Sequence, residues 1–117
     1  MKIKFSTKVT IAALLLICLT GFSVRADDAS SKIWDTNCAA CHGKDGKGKT
    51  MMGRKLDIKD LTDAKIQASF TDADATKAIK EGVSDKGTEK MKAFGGKLSD
   101  DDIKALVAQA RSFKPAQ

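Results

Sequence analysis

Apolar residues recur at helical spacing in two well-separated parts of the chain, and the later one is the clearer. Ile103, Leu106, Val107 and Ala110 fall on one helical face. Ser99 stands where it can cap that helix and Asp102 follows three residues on. Asp100, Asp101 and Asp102 place negative charge at the end where the helix dipole is positive. The earlier helix begins near Ser30 or Ser31, turns Ile33, Trp34 and Cys38 to one side, and stops at Gly43. The two stripes are expected to pack against each other.

Between them the pattern is weaker. Gly43, Gly46 and Gly48, interleaved with Lys44, Lys47 and Lys49, predict an open loop whose turn residues run on to Gly53. A short helix is expected around 62–69. Another starts behind Thr71 and Asp74, carries Ala75, Ala78 and Ile79 on one face, and ends at Gly82. Gly87, Gly95 and Gly96 interrupt any period between Val83 and Lys97, yet Met91 and Phe94 sit there among charges. This segment is expected to be irregular and held by something other than its own backbone. No stretch alternates long enough to suggest a sheet, so the fold class is all-α.

The 117 residues leave room for one domain, without repeats or low-complexity runs. Residues 1–26 read as a cleaved secretory signal: basic Lys2, Lys4 and Lys8, an apolar stretch from Val9 to Phe22, and Val24 and Ala26 suited to cleavage after Ala26. The apolar stretch, interrupted by Thr10, Thr20 and Gly21, is too short for a membrane anchor of about 20 residues. Cys18 lies in it and has Ile17 rather than a small residue before it, which argues against lipidation. Four of the 21 Lys and Arg leave with the signal, so the domain of 27–117 carries +2 against its 15 acids. Nucleic-acid binding, which wants a basic face with interleaved aromatics, is therefore not supported. The remaining apolar set is small, and a domain of this size usually needs a disulfide, metal or cofactor to hold it.

Cys38-Ala39-Ala40-Cys41-His42 supplies that staple. Two thiols three positions apart can each add across one vinyl group of a porphyrin, while the imidazole beside the second lies beneath the ring, where a nitrogen can bond iron. A structural zinc site needs four ligands, more than these residues offer. A redox dithiol wants a preceding strand in a βαβ unit. A plain disulfide is possible in an oxidising compartment but leaves the core undersized. One covalent haem c through Cys38 and Cys41 is the reading that uses all three residues.

From Ser30 to Phe113 the chain resembles a class I cytochrome c: the attachment motif followed by Gly43, a long loop, a methionine three residues before Phe94, and a closing amphipathic helix. The resemblance implies three to five helices wrapped around one haem, with His42 and Met91 as the two iron ligands. Met51 and Met52 are the rival sulfur donors, only nine and ten residues after His42. The sequence departs from the family at Lys92, where proline is common, and lacks the usual proline after the attachment loop. Which carbonyl orients the second nitrogen of His42 is therefore open, with the stretch near Gly53 the candidate. Trp34 is expected near the haem or the last helix, its indole N–H within reach of a propionate, and Arg54 and Lys55 are further candidates to neutralise propionates.

With both axial positions filled, one-electron transfer is the chemistry left, so the chain reads as a periplasmic or otherwise exported monomeric carrier and not an enzyme. Its partners are expected to be redox proteins met transiently, with Lys44, Lys47, Lys49, Lys90 and Lys92 around the exposed haem edge and no stable membrane insertion. Two alternatives stay open: an electron-transfer subunit of a larger oxidase or dehydrogenase, and a haem enzyme or gas sensor with an open distal position.

Overall fold

The computed structural model describes residues 26–114, so the expected export signal, apart from its last residue, lies outside the described residues. Six helices and one hairpin follow in order: α1 (Ala26–Asn37), α2 (Ala39–His42), α3 (Met51–Leu56), α4 (Ala64–Ala68), α5 (Asp72–Glu81), β1 (Val83–Asp85), β2 (Thr88–Met91) and α6 (Asp100–Ser112). No helix among the described residues is long and apolar enough to cross a membrane.

The helices expected from sequence are present, and two of them start at their expected caps. Thr71 and Ser99 each form a reciprocal capping box, with Asp74 and Asp102 respectively, so two amide groups that a helix start leaves unpaired are satisfied at each. α1 packs across α6 as the two apolar stripes require. The core they share with the middle of the chain is Trp34, Cys38, Leu61, Ile79, Ile103, Leu106 and Val107. Ile103 and Leu106 are each 1% exposed, and burying a side chain of that size contributes about 1.5–3 kcal/mol.

Three local features differ from expectation, raising the helix count from three to five up to six. The first helix starts at Ala26 and turns at Cys38, so the attachment motif forms the separate short α2. α3 lies where turn residues were expected to continue. Thr50 caps it by accepting from the Gly53 amide, and Asp57 ends it in the left-handed conformation at φ 55°. A glycine within a six-residue helix hides its pattern. Val83–Met91 is an antiparallel hairpin rather than an irregular loop. Its turn uses Lys86 and Gly87, both at positive φ, a pair that lacks the Asn-Gly or Asp-Gly signature of such turns.

The segment after the hairpin is held by the end of α5. Phe94 and Gly95 donate their amides to the carbonyls of Ile79 and Lys80 at 2.8 and 3.1 Å, using acceptors that a helix C-terminus leaves free. Gly82 permits the close crossing, since a Cβ there would lie 2.6 Å from the Met91 carbonyl oxygen. The Lys80–Asp100 ion pair at 2.7 Å joins α5 to α6 at the surface, where such pairs contribute about 0–1 kcal/mol.

The α1/α6 crossing therefore carries the fold's stability. Ile103→Ala is expected to cost about 2–5 kcal/mol, read from the urea midpoint. The neighbouring exposed Lys104→Ala should stay within about 0.5 kcal/mol. Equal effects of the two would show that this crossing is not the core.

Candidate cofactor site

α1 delivers the motif to the middle of the molecule. The Cys38 amide donates to the Trp34 carbonyl at 2.8 Å, and the Cys38 carbonyl accepts from the amides of Cys41 and His42 at 3.1 and 2.9 Å. This tight turn gathers both sulfurs and the imidazole within one helical turn. Cys38 is buried, Cys41 half-buried, and neither thiol is paired. Burial, with the neighbouring Cys41 adding to it, pushes the Cys38 thiol up to about 11.

The loop that follows returns to brace the motif. The Gly48 amide donates to the His42 carbonyl at 2.7 Å and the Thr50 hydroxyl to the Cys41 carbonyl at 2.9 Å. Gly53 then packs against the carbonyls of Cys41 and Gly48 so closely that any Cβ would overlap both oxygens. On the other side, the Trp34 indole N–H donates to the Gly43 carbonyl at 2.9 Å. That bond occupies the group expected to reach a propionate, so Trp34 serves the peptide after His42 instead. Its ring lies 5.5 Å from the His42 ring and 5.0 Å from that of Phe113.

Two cavities meet at the motif. The first, of about 270 Å³, is lined by apolar side chains that include Trp34, Leu61, Phe70, Ile79 and Leu106, with Asp74 as its one charged residue. The second, of about 380 Å³, is the outer one in the sense that its lining, which includes Met52, Leu56, Ile58 and Glu89 to Lys92, contains the exposed Met52, Glu89 and Lys92. Cys38, His42 and Met91 line both. The hairpin thus brings a residue far along the chain to the same place as the attachment motif.

His42 Nδ1 is the one buried side-chain nitrogen or oxygen among the described residues without a hydrogen-bond partner. Burial also holds the imidazole below its usual pKa and hence neutral, the form able to donate a nitrogen lone pair. The Gly53 carbonyl, the expected partner region, accepts from the Ile58 amide at 2.9 Å. A flat, mostly apolar group with one atom bonded by imidazole fits these walls. Among the described residues, no group of three or more His, Cys, Asp and Glu converges as a metal cage.

The structure separates other residues that sequence reasoning had grouped. Lys90 and Lys92 line the outer cavity, whereas Lys44, Lys47 and Lys49 do not. Lys44 pairs with Asp35 at 3.1 Å instead. Arg54 donates to the Lys49 carbonyl at 2.8 Å, bracing the loop. Met51 is 80% exposed and lines neither cavity, while Met52 lines only the outer one. Sequence reasoning missed Asn37, Leu61, Phe70 and Ala75 as lining residues, since nothing in their spacing distinguishes a cavity wall from ordinary core.

Residues 25–108 match the family profile of cytochrome c oxidase, cbb3-type, subunit III. The chain belongs to the cytochrome c family. Cytochrome c6 of Pyropia yezoensis is 34% identical over 104 residues, covering 88% of this chain and 86% of that protein. Cytochrome c6 of Thermosynechococcus vestitus is 33% identical over 109 residues, covering 92% and 89%. The cbb3-type cytochrome c oxidase subunit FixPc of Rhizobium leguminosarum bv. viciae is 35% identical over 86 residues, which are 74% of this chain but only 27% of that subunit. Among solved structures, the KustC0563 c-type cytochrome superposes with a TM-score of 0.65 at 34% identity, covering 74% of this chain and 98% of that one. The cytochrome c fold agrees with the all-α class, and the hairpin is an addition within it.

Because folding favours neutral His42, the unfolded chain takes up a proton near pH 6.5 before the folded cytochrome does. Its contribution to stability is complete above that value and is lost as pH falls from about 6.5 toward the lowered folded value. His42 is the chain's only histidine, so the effect has one source. The urea midpoint of the haem-free protein, in which no iron holds the imidazole, is expected to drop between about pH 7.5 and 5.5 when followed by circular dichroism; a flat or rising midpoint there would contradict the burial of a neutral imidazole.

Proposed function

We propose that this cytochrome is a single-haem electron carrier, with Cys38 and Cys41 bonded covalently to one haem c and His42 and Met91 as its two axial ligands. The observation that carries the reading is that Cys38, His42 and Met91 line both of the cavities that meet at the motif. The haem, when bound, supplies one reversible one-electron change at its iron. The chain's residues do the rest. Two protein ligands leave no position for oxygen or peroxide, which separates a carrier from a haem enzyme or gas sensor. The apolar inner wall excludes water. The ties from α5 to the segment after Met91, and from the glycine loop to Cys41 and His42, keep both ligands in place as the charge changes.

The same reading makes 1–26 a cleaved export signal and 27–117 the mature domain, working as a monomer in the periplasm or an equivalent exported compartment. Lys90 and Lys92 beside the outer cavity, with half-exposed Met52, form the lip at which an acidic redox partner would dock briefly. The match to a cbb3-type oxidase subunit favours a second reading, in which the domain passes electrons within a larger oxidase or dehydrogenase complex. Co-purification from native membranes separates the two.

The decisive test is an oxidised and a reduced optical spectrum of the exported protein, with Met91→Ala alongside. The parent protein is expected to be low-spin in both states and slow to bind carbon monoxide; Met91→Ala should turn high-spin and bind it quickly. An unchanged low-spin spectrum in the variant would remove Met91 as ligand. Colourless exported protein with two alkylatable thiols would remove the haem altogether.

A further inference from the structure

The Arg111 guanidinium lies in the last turn of α6, and three of its four hydrogen bonds go to Gln67 and Phe70. Nη1 donates to the backbone carbonyl and the side-chain oxygen of Gln67 at 2.6 and 3.0 Å, and Nη2 donates to the Phe70 carbonyl at 2.8 Å. Its central carbon sits 4.2 Å from the centroid of the Phe70 ring. Gln67, 6% exposed, passes the network on by donating to the carbonyls of Leu61 and Ala110 at 2.7 and 2.8 Å. Leu61, Phe70 and Ala110 all line the inner cavity.

Among the described residues the guanidinium pairs with Asp72, which accepts from Nε at 2.7 Å. The pair is lopsided. The Arg111 side chain is 30% exposed and lies against an apolar ring, whereas the Asp72 side chain is 73% exposed and screened by water. The field of the cation therefore reaches the cavity through low-dielectric material, while that of the anion is weakened.

We propose that Arg111 is a positioning residue that also sets the redox balance: from behind Phe70 its charge, only partly cancelled by Asp72, favours the reduced form of the haem. This rests on the haem reading above. Oxidation adds a positive charge at the iron, so a fixed cation nearby opposes it and raises the reduction potential. The same bonds hold Phe70, Leu61 and Ala110 as one wall, so a purely mechanical role has to be told apart from an electrostatic one. The sign of the two charges does this.

Spectroelectrochemical titration of the haem-loaded protein compares the parent with Arg111→Met, Arg111→Lys and Asp72→Asn. Arg111→Met is expected to shift the one-electron equilibrium three- to tenfold toward the oxidised form, about 28 to 59 mV lower. Asp72→Asn, which unmasks the cation, should shift it the opposite way by a smaller factor. Arg111→Lys should stay within twofold of the parent even where its urea midpoint falls. Unmoved potentials, or shifts of one sign in both charge-removing variants, leave only a structural role and overturn the proposal. Should Arg111→Met fail to fold, Asp72→Asn decides alone: a raised potential supports the idea, and an unchanged or lowered one sinks it. Failure of the haem reading itself is distinct, since the parent would then have no haem spectrum to titrate.

Discussion

The constraint on which the structure depends is that its helices cannot fill their own interior. Ile103, Leu106 and Trp34 close the α1/α6 crossing and meet Leu61 and Ile79 in one core, yet Trp34, Leu61, Ile79 and Leu106 also line an apolar cavity. An apolar space of about 270 Å³ leaves these walls without packing partners, and a domain this small has little stability to spare. Folding and cofactor binding are thus linked in this chain. Under the proposed reading, a tether at Cys38 and Cys41 would make the filling group part of the polypeptide.

The two sides of the cavity are held by different means. On the motif side the ties are local: the turn at Cys38, the return of Gly48 and Thr50 to the carbonyls of His42 and Cys41, and the indole of Trp34 on the Gly43 carbonyl. On the Met91 side they are long-range, since a hairpin and the segment after it hang from the last carbonyls of α5. The motif-side ties involve few residues close in sequence, whereas the Met91 side needs α5 and the hairpin both in place.

Buried polar groups follow the same division of labour. Gln67 and four of the five guanidinium N–H groups of Arg111 are bonded, and together they connect the outer shell to the inner wall. His42 Nδ1 stands as the exception among the described residues. An unpartnered buried nitrogen is costly in a purely structural setting, and its presence beside two free thiols marks the place where structure yields to chemistry.

Much of this was legible in the chain itself. The capping boxes at Thr71 and Ser99, the two amphipathic stripes and the run from Cys38 to His42 are local patterns, and their physics acts over three or four residues, so spacing alone was enough to read them. The hairpin was not legible, because Lys86-Gly87 is an unusual turn and its strands are too short and exposed to alternate. α3 was hidden by Gly53, whose reason for being glycine is the carbonyl of Cys41, twelve residues earlier. The use of the Trp34 indole, the pairing of Lys44 with Asp35, the separation of Lys90 and Lys92 from the loop lysines, and the convergence of Met91 on His42 were decided by tertiary structure. Each depends on which distant groups come within a few ångströms of each other, and hydrogen bonds and packing reach no farther than that.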